Sequence, residues 1–350
     1  MVKMMNEYLE EVKTTRKHEG YFFSVEEAII IALIGSFCGL KSVKKIHQWA
    51  KNVRISEFLE KEFNIVSIPC YYWLLTLLKL IEPESLNKCF IDWVSAMMSE
   101  RGFTASLDGK TTRSTCKMKK YKNPLHIISA QIAELGITLG QQTVDGKSNE
   151  IPAVRDLIKL LNLNGCMIVA DALNCQKETA QTVIDANADY LLSVKDNQPT
   201  LKKEIADIVH NEEHQKEMDI CKKTEKNRGR IETRTAYVFN SADLISSKDD
   251  WANLACIGAI NTQFSVNNVV SNEWHYYISS KKLTAEEMLH HARLEWSVET
   301  MHWLLDVHFG EDFCRVQDEV VLQNLNIFHK IVLNYIKLFK EKKKPQNSDF

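Results

Sequence analysis

The sequence predicts an α/β protein in which an all-helical segment precedes a sheet-forming one. Three observations carry this. Residues up to about 100 show helical periodicity throughout. After Gly102 the pattern shifts to short strand-like runs at Thr104–Leu107, His126–Ala133 and Thr138–Thr143, with Leu135-Gly136 as a turn between the last two. Helix and strand then alternate: a helix over 151–161, a strand at Met167–Ala170, a helix over 175–187 and a strand at Tyr190–Val194. A three-stranded meander followed by alternating helix and strand is the order of a ribonuclease-H-like sheet.

Each element has a local reason. Ser24-x-x-Glu27 is a capping box ahead of the apolar run Ala28–Ile34, and Gly39 is its stop. Further helices are expected over 41–51, 56–62, 71–81 and from Pro83 to about Met98. Between Pro199 and Ile278 the pattern is mixed: a helix at Leu201–Val209, then strand-like alternation at Thr233–Val238 and Ala255–Asn261. This stretch reads as a β-rich insertion. A second capping box, Thr284-x-x-Glu287, opens a long helix after Ser280. The organisation expected is a helical domain over 1–100, a catalytic domain over 101–335 interrupted at about 199–278, and a basic tail over 336–350.

With 350 residues, 45% of them apolar, the chain can fill a substantial core. No apolar run reaches the roughly 18 residues that a membrane span needs, and the charged first 19 residues lack the apolar centre of a secretory signal. The nine cysteines form no C-x-x-C pair and several fall in apolar runs. Reduced core cysteines in a cytoplasmic protein are the expectation. A net charge of −2 excludes a uniformly basic nucleic-acid binder but not a locally basic one.

Two strand-like runs each lead into an acid: Thr104–Leu107 into Asp108, and Met167–Ala170 into Asp171. A carboxylate in apolar surroundings is costly unless its charge is compensated, and a divalent metal compensates it well. A third acid, Glu299, lies on the long helix. Counting about 100° per residue from Met288, Glu299 falls near ~20°, among Ala292, Trp296 and Trp303, with Glu295 and Asp306 flanking it. Acids on this stripe read equally well as an arginine-paired cluster or as a metal ligand with acidic neighbours. The pair Asp108 and Asp171 favours the metal. Hard oxygen ligands suit Mg2+ or Mn2+. Two such ions can activate a water or a 3′-hydroxyl and stabilise the leaving oxygen of a phosphodiester. Asp108 would bridge both ions, with Asp171 and Glu299 completing either side.

Cations cluster near these acids. From Gly109 to Ala133 there is no acidic residue, whereas Lys110, Arg113, Lys119 and Lys120 all fall there. Arg228, Arg230 and Arg234 form a second group, more suited to phosphate than to base contacts. Lys195 and Gln198 follow a strand end on the same side as the acids, where a DNA-backbone role and a plain loop role are equally open. Asn149 reads as a helix cap, Trp274 as core rather than a base-stacking surface, and His302 as a satisfied buried histidine.

The motifs Leu107-Asp108-Gly109-Lys110-Thr111, Lys147-Ser148-Asn149-Glu150-Ile151-Pro152-Ala153, Asp171-Ala172-Leu173-Asn174, Ala188-Asp189-Tyr190-Leu191-Leu192 and Gly229-Arg230-Ile231-Glu232-Thr233-Arg234 occur in order, followed by Arg293, Trp296, Glu299, His302-Trp303, Leu305-Asp306-Val307 and Glu311-Asp312. Over about residues 20–335 this series resembles the ISAs-type insertion-sequence transposases, relatives of the H-repeat-associated proteins among the DDE transposases. The resemblance implies a catalytic triad of Asp108, Asp171 and Glu299, two metal ions, and binding of double-stranded DNA at terminal inverted repeats and at a target. It also implies an N-terminal helical domain that helps bind those ends, and a homodimer that synapses them in the nucleoid-associated cytoplasm. Arg293 joins the DNA-contacting set. The chain departs from the pattern at Glu295, where the family carries His or Arg, at Thr300, where it carries Asn, and over Tyr71–Trp73. Two rivals stand beside this reading: a catalytically degenerate DNA-binding copy, and a nuclease on the same fold without strand transfer.

Overall fold

The computed structural model describes residues 8–16, 22–98, 102–116, 124–144, 150–227, 230–266, 269–316 and 318–343. Five helices come first: α1 (Val25–Phe37), α2 (Val43–Ala50), α3 (Val53–Phe63), α4 (Tyr71–Leu80) and α5 (Pro83–Met97). Both hydrogen bonds of the α1 capping box form, between Ser24 and Glu27, and Gly39 ends the segment at φ +75°. Helix α1 is apolar on every side and accordingly buried around its whole circumference.

One sheet of nine strands forms the centre: β1 (Thr104–Thr111), β2 (His126–Ile132), β3 (Ile137–Val144), β4 (Met167–Ala170), β5 (Asp189–Val194), β6 (Asp219–Asn227), β7 (Arg230–Phe239), β8 (Cys256–Val266) and β9 (Val269–Ser279). Their order is 3-2-1-4-5-9-8-7-6. Strands β1, β2 and β3 are antiparallel neighbours, while β4 runs parallel to β1, and β5 parallel to β4. The first five strands thus have the ribonuclease-H-like order expected from the sequence. Helices α6 (Glu150–Leu160), α7 (Lys177–Asp185) and α8 (Pro199–Val209) fill the crossovers.

The insertion does not sit apart from this sheet. Strand β9 pairs antiparallel with β5, and β8, β7 and β6 continue the ladder outward. Two of its strands, β6 and β9, went unread in the sequence. Strand β6 carries Lys222, Lys223, Thr224, Glu225 and Lys226 at the sheet's edge, where charged side chains discourage further pairing and leave no apolar alternation.

The long helix expected after Ser280 is two helices. Helix α9 (Ala285–Leu294) stops at a turn through Glu295 and Trp296, then α10 (Ser297–Leu304) begins, followed by a π-helical turn at Leu305–Phe309. The break resets the helical phase, so the expected stripe does not hold. Trp296 and Trp303 are 66% and 57% exposed, and Glu299 is exposed rather than buried. Ser297 Oγ lies 3.1 Å from Ser106 Oγ, which seats the start of α10 on β1.

Helix α11 (Glu319–Lys343) corrects the expectation of a tail beginning at 336. It packs against α1, α4, α5 and β3, tying the N-terminal helices to the sheet. Asn324 donates to the carbonyls of Leu78 and Ile81, and Asn334 exchanges two bonds with the backbone of Thr138. Apolar residues of α1, α4, α5, the sheet and α11 share a single cluster.

Candidate active site

Strand register brings the first two acids together. Thr104–Leu107 of β1 pair in parallel with Met167–Ala170 of β4. Asp108 and Asp171 are each the next residue, so they stand side by side where the two strands part. Asp108 does not end its strand, as the sequence suggested; β1 continues to Thr111 and Asp108 pairs opposite Ser129. Asp171 turns out of β4 into a 3-10 turn, Ala172–Asn174, which it caps. Both the backbone N–H and the side-chain amide of Asn174 donate to Asp171 Oδ1, at 3.3 and 2.9 Å. Its Oδ2 has no hydrogen-bond partner among the described residues and is available to a cation. Burial raises the Asp171 carboxyl above the usual range; the Asn174 bonds oppose this, and the charges of Glu150 and Asp108 add to it.

Gly109 has a steric reason to follow Asp108. A methyl on it would meet His126 Nε2 at 2.5 Å and Glu150 Cδ at 3.1 Å. His126 Nε2 donates to buried Glu150 at 3.1 Å, and its Nδ1 accepts from Thr111 Oγ1 at 2.8 Å. This buried pair supports β1 from behind, on the face opposite the Asp108 carboxylate. Asn149, read as a helix cap, lies outside the described residues.

On the other face, α10 packs against β1. His302 places Nδ1 3.5 Å from Asp108 Oδ2. Its Nε2 is buried without a partner among the described residues, so it is not the satisfied core histidine expected. Glu299 lies three residues earlier on the same helix, toward solvent. Glu295, at the break between α9 and α10, feels the charges of Asp171, Asp108 and Glu299 together. Burial first, then Asp171, push its carboxyl up to about 7, with Lys195 opposing and Asp108 and Glu299 adding. The four acids therefore share one electrostatic neighbourhood.

Glu295 has a testable signature. Its folded-state pKa lies above the ordinary value of 4.5, so the folded protein binds more protons than the unfolded chain between those values. Metal-free protein should lose stability as pH rises from about 4.5 through 7. Glu295→Gln should flatten that slope, matching the wild type near pH 4.5 and exceeding it by about 3 kcal/mol at pH 8. Thermal melts in a chelator across this range check it.

The ten cations and amides expected to hold DNA divide sharply. Lys195, Arg234 and Arg293 line a groove of about 980 Å³ bounded by β7, β8 and β9, α9 and, at one end, Glu295 and Trp296. Arg234 and Arg293 are both ion-paired to Glu225, and Arg234 also to Glu232. Arg113 is exposed, 3.6 Å from Asp312. Lys110 differs: only 12% of its side chain is exposed, and it bridges Asp306 and buried Glu311. It fastens β1 to the segment after α10 and is not free to meet a phosphate. Gln198 donates to the Cys175 carbonyl at 3.1 Å, and Asn197 to that of Ala172 at 2.6 Å, bracing the turn after Asp171. Arg230 begins β7; Lys119, Lys120 and Arg228 lie outside the described residues. Trp274 packs against Tyr237 and His210 beside the core, as its sequence suggested.

A family described as "Transposase DDE domain" matches residues 90–335. The chain belongs to the DDE transposases. A companion family, described as "DDE_Tnp_1-associated", matches residues 6–94 of this transposase. The "H repeat-associated putative transposase YhhI" of Escherichia coli K12 is 31% identical over 288 residues, 78% of this chain and 75% of that protein. The "Putative transposase YncI" of Escherichia coli O157:H7 is 32% identical over 268 residues, 73% of this chain and 68% of that one. Among solved structures, a piggyBac transposase synaptic complex with hairpin DNA is a remote likeness, with a TM-score of 0.45 at 11% identity over 99% of this chain and 74% of that one. The fold assignment rests on the strand order instead.

The family implies a metal-dependent DNA-cutting enzyme, and the site suits a hard divalent ion. Its donors are carboxylate oxygens, one oxygen of Asp171 is unshared, and a cation would offset the burial, and then the neighbouring negative charges, that raise Asp171 and Glu295. The transposase has no helix among the described residues long and apolar enough to cross a membrane.

Proposed function

We propose that this chain is the transposase of an insertion sequence. It cuts phosphodiester bonds at the element's ends and joins them to target DNA, with Asp108, Asp171 and Glu299 holding two Mg2+ or Mn2+ ions. The observation that carries this is the register of β1 with β4, which sets Asp108 beside Asp171 on neighbouring parallel strands in a chain of this family. When bound, the ions would supply an activated oxygen nucleophile and charge stabilisation at the leaving oxygen. The protein's own part is placement. Asn174 orients Asp171, the His126–Glu150 pair supports β1 beneath Asp108, and His302 stands beside Asp108. Lys195 meets the DNA backbone in the groove that Glu295 also lines, and Arg234 and Arg293 join it by exchanging Glu225 and Glu232 for phosphates. Residues 1–100 bind the inverted repeats, and a homodimer pairs two ends in the cytoplasm, on the nucleoid.

The test is a labelled duplex carrying the DNA that flanks the gene, incubated with Mg2+ or Mn2+ and a target plasmid. Cutting at a defined end followed by joining through the free 3′-hydroxyl is the expected result. Cutting without joining would make the chain a nuclease, and binding without cutting a degenerate copy.

A further inference from the structure

At the start of β1, four residues before Asp108, lies a second group of ligand-type side chains. One nitrogen each of His290 and His291 and a carboxylate oxygen of Glu134 lie within 4.8 Å of one another. The histidines belong to the last turns of α9, and Glu134 to the β2–β3 turn. Thr104, the first residue of β1, holds two of the three. Its hydroxyl donates to Glu134 Oε1 at 2.5 Å and meets His291 Nδ1 at 2.8 Å, while its backbone N–H donates to the same carboxylate at 2.9 Å. Ring and carboxylate are thus held facing each other before any cation arrives, the kind of outer support that metal-binding histidines have. Thr104 is four residues from Asp108, about 13 Å along the strand at ~3.3 Å per residue. The group is therefore separate from the acidic site.

We propose that Glu134, His290 and His291 bind a zinc-class divalent transition ion that clamps α9 to the start of β1. Two imidazoles and one carboxylate form a set that zinc accepts, with water free to complete the tetrahedron, whereas Mg2+ prefers oxygen ligands alone. The consequence for the enzyme is mechanical. Helix α9 runs directly into Glu295 and α10, and α10 carries Glu299. Fixing its last turns against β1 fixes where those acids stand relative to Asp108. The role needs no DNA and no reaction.

Zinc binding is measured with the full chain carrying Asp108→Asn, by competition against a chromophoric chelator and with Co2+ as a coloured substitute. One equivalent should bind at low micromolar zinc or tighter, unaffected by millimolar Mg2+. Co2+ should give the visible bands of a nitrogen-and-oxygen tetrahedral site. His290→Gln should weaken zinc binding at least ~10-fold, as should Glu134→Gln, which keeps an acceptor for Thr104. Far-UV circular dichroism verifies folding of each variant. Folded protein that binds no zinc, or binds it equally well with His290→Gln and Glu134→Gln, overturns the proposal. Neither result bears on DNA cleavage, so the transposase reading stands or falls separately.

Discussion

Asp108→Asn, Asp171→Asn and Glu299→Gln should each abolish end cleavage while leaving the protein folded and able to bind its DNA end. Replacing even an outer partner of a metal ligand commonly costs about 10–100-fold, so loss of a carboxylate that holds the ion should exceed ~100-fold. The stabilities should not fall together with activity. Asp171 is raised by burial and by the charges of Glu150 and Asp108, so it stands ionised at a cost in metal-free protein. Asn at that position keeps an acceptor for Asn174 and removes the repulsion. Asp171→Asn should melt at or above the wild-type temperature in a chelator. Exposed Glu299 should change stability by less than about 0.5 kcal/mol when replaced. Single-turnover cleavage in Mg2+ and Mn2+, beside melts in a chelator, separates the two readouts. A variant that loses cleavage only because it unfolds would mark that acid as structural. One that still cleaves would remove it from the triad, and Glu295, which shares the site's charge, would be the next acid to replace.

The placement of Asp108 beside Asp171 was legible because each follows a short apolar run, and the two runs pair with each other, although β1 itself continues to Thr111. Four apolar or small residues followed by Asp, twice, implied two neighbouring strands leading into one site, and the β1–β4 register has that form. What surrounds the acids was less legible, for two physical reasons. A helical wheel assumes one unbroken helix, and the turn at Glu295–Trp296 rotates everything after it. The two tryptophans therefore face outward, and Glu299 is exposed instead of lying on a buried stripe. The second reason is that a charged residue's type does not reveal its partner. Lys110 and Arg113 look alike in a basic run, yet Lys110 is enclosed between two acids about 200 positions away in sequence while Arg113 stays exposed beside Asp312. Buried Asn324, His329, Lys330 and Asn334 are likewise polar letters on a helix that only the fold explains. The Gly109 side of the site shows the reverse: Asp-Gly was visible as a motif, but its reason, the His126 ring, was not.

Glu311→Ala should be the most destabilising single substitution near the site. Glu311 is buried, accepts from both Asn326 and His329 at 2.9 Å, and lies 3.4 Å from Lys110. Burial alone would raise its carboxyl. The His329 bond and charge, then Lys110 and Lys330, outweigh that and hold it down at about 2. Removing the carboxylate takes the counter-charge from buried Lys330 and leaves Lys110 with Asp306 alone, a loss on the order of 3–5 kcal/mol. Lys330 is fully enclosed, donating to Ser129 and Gln141, and Ser129 is the residue paired with Asp108. The disturbance should therefore reach the acids, lowering cleavage in protein that is still folded at low temperature. The pH signature has a definite sign. Because the folded-state value lies below the ordinary 4.5, Glu311 adds stability above that pH and loses it as pH falls toward about 2. Wild-type protein should show that acid-side decline, and Glu311→Ala should show less of it. Pairing Glu311→Met with Lys330→Met should recover part of the loss, since the fully buried lysine that lacked its counter-charge is then removed as well. Urea melts of the single and double variants at pH 7 and pH 3.5 measure both effects. A Glu311→Ala cost below about 1 kcal/mol at pH 7 would mean that water reaches this cluster, and that the acids of the site do not depend on it for their placement.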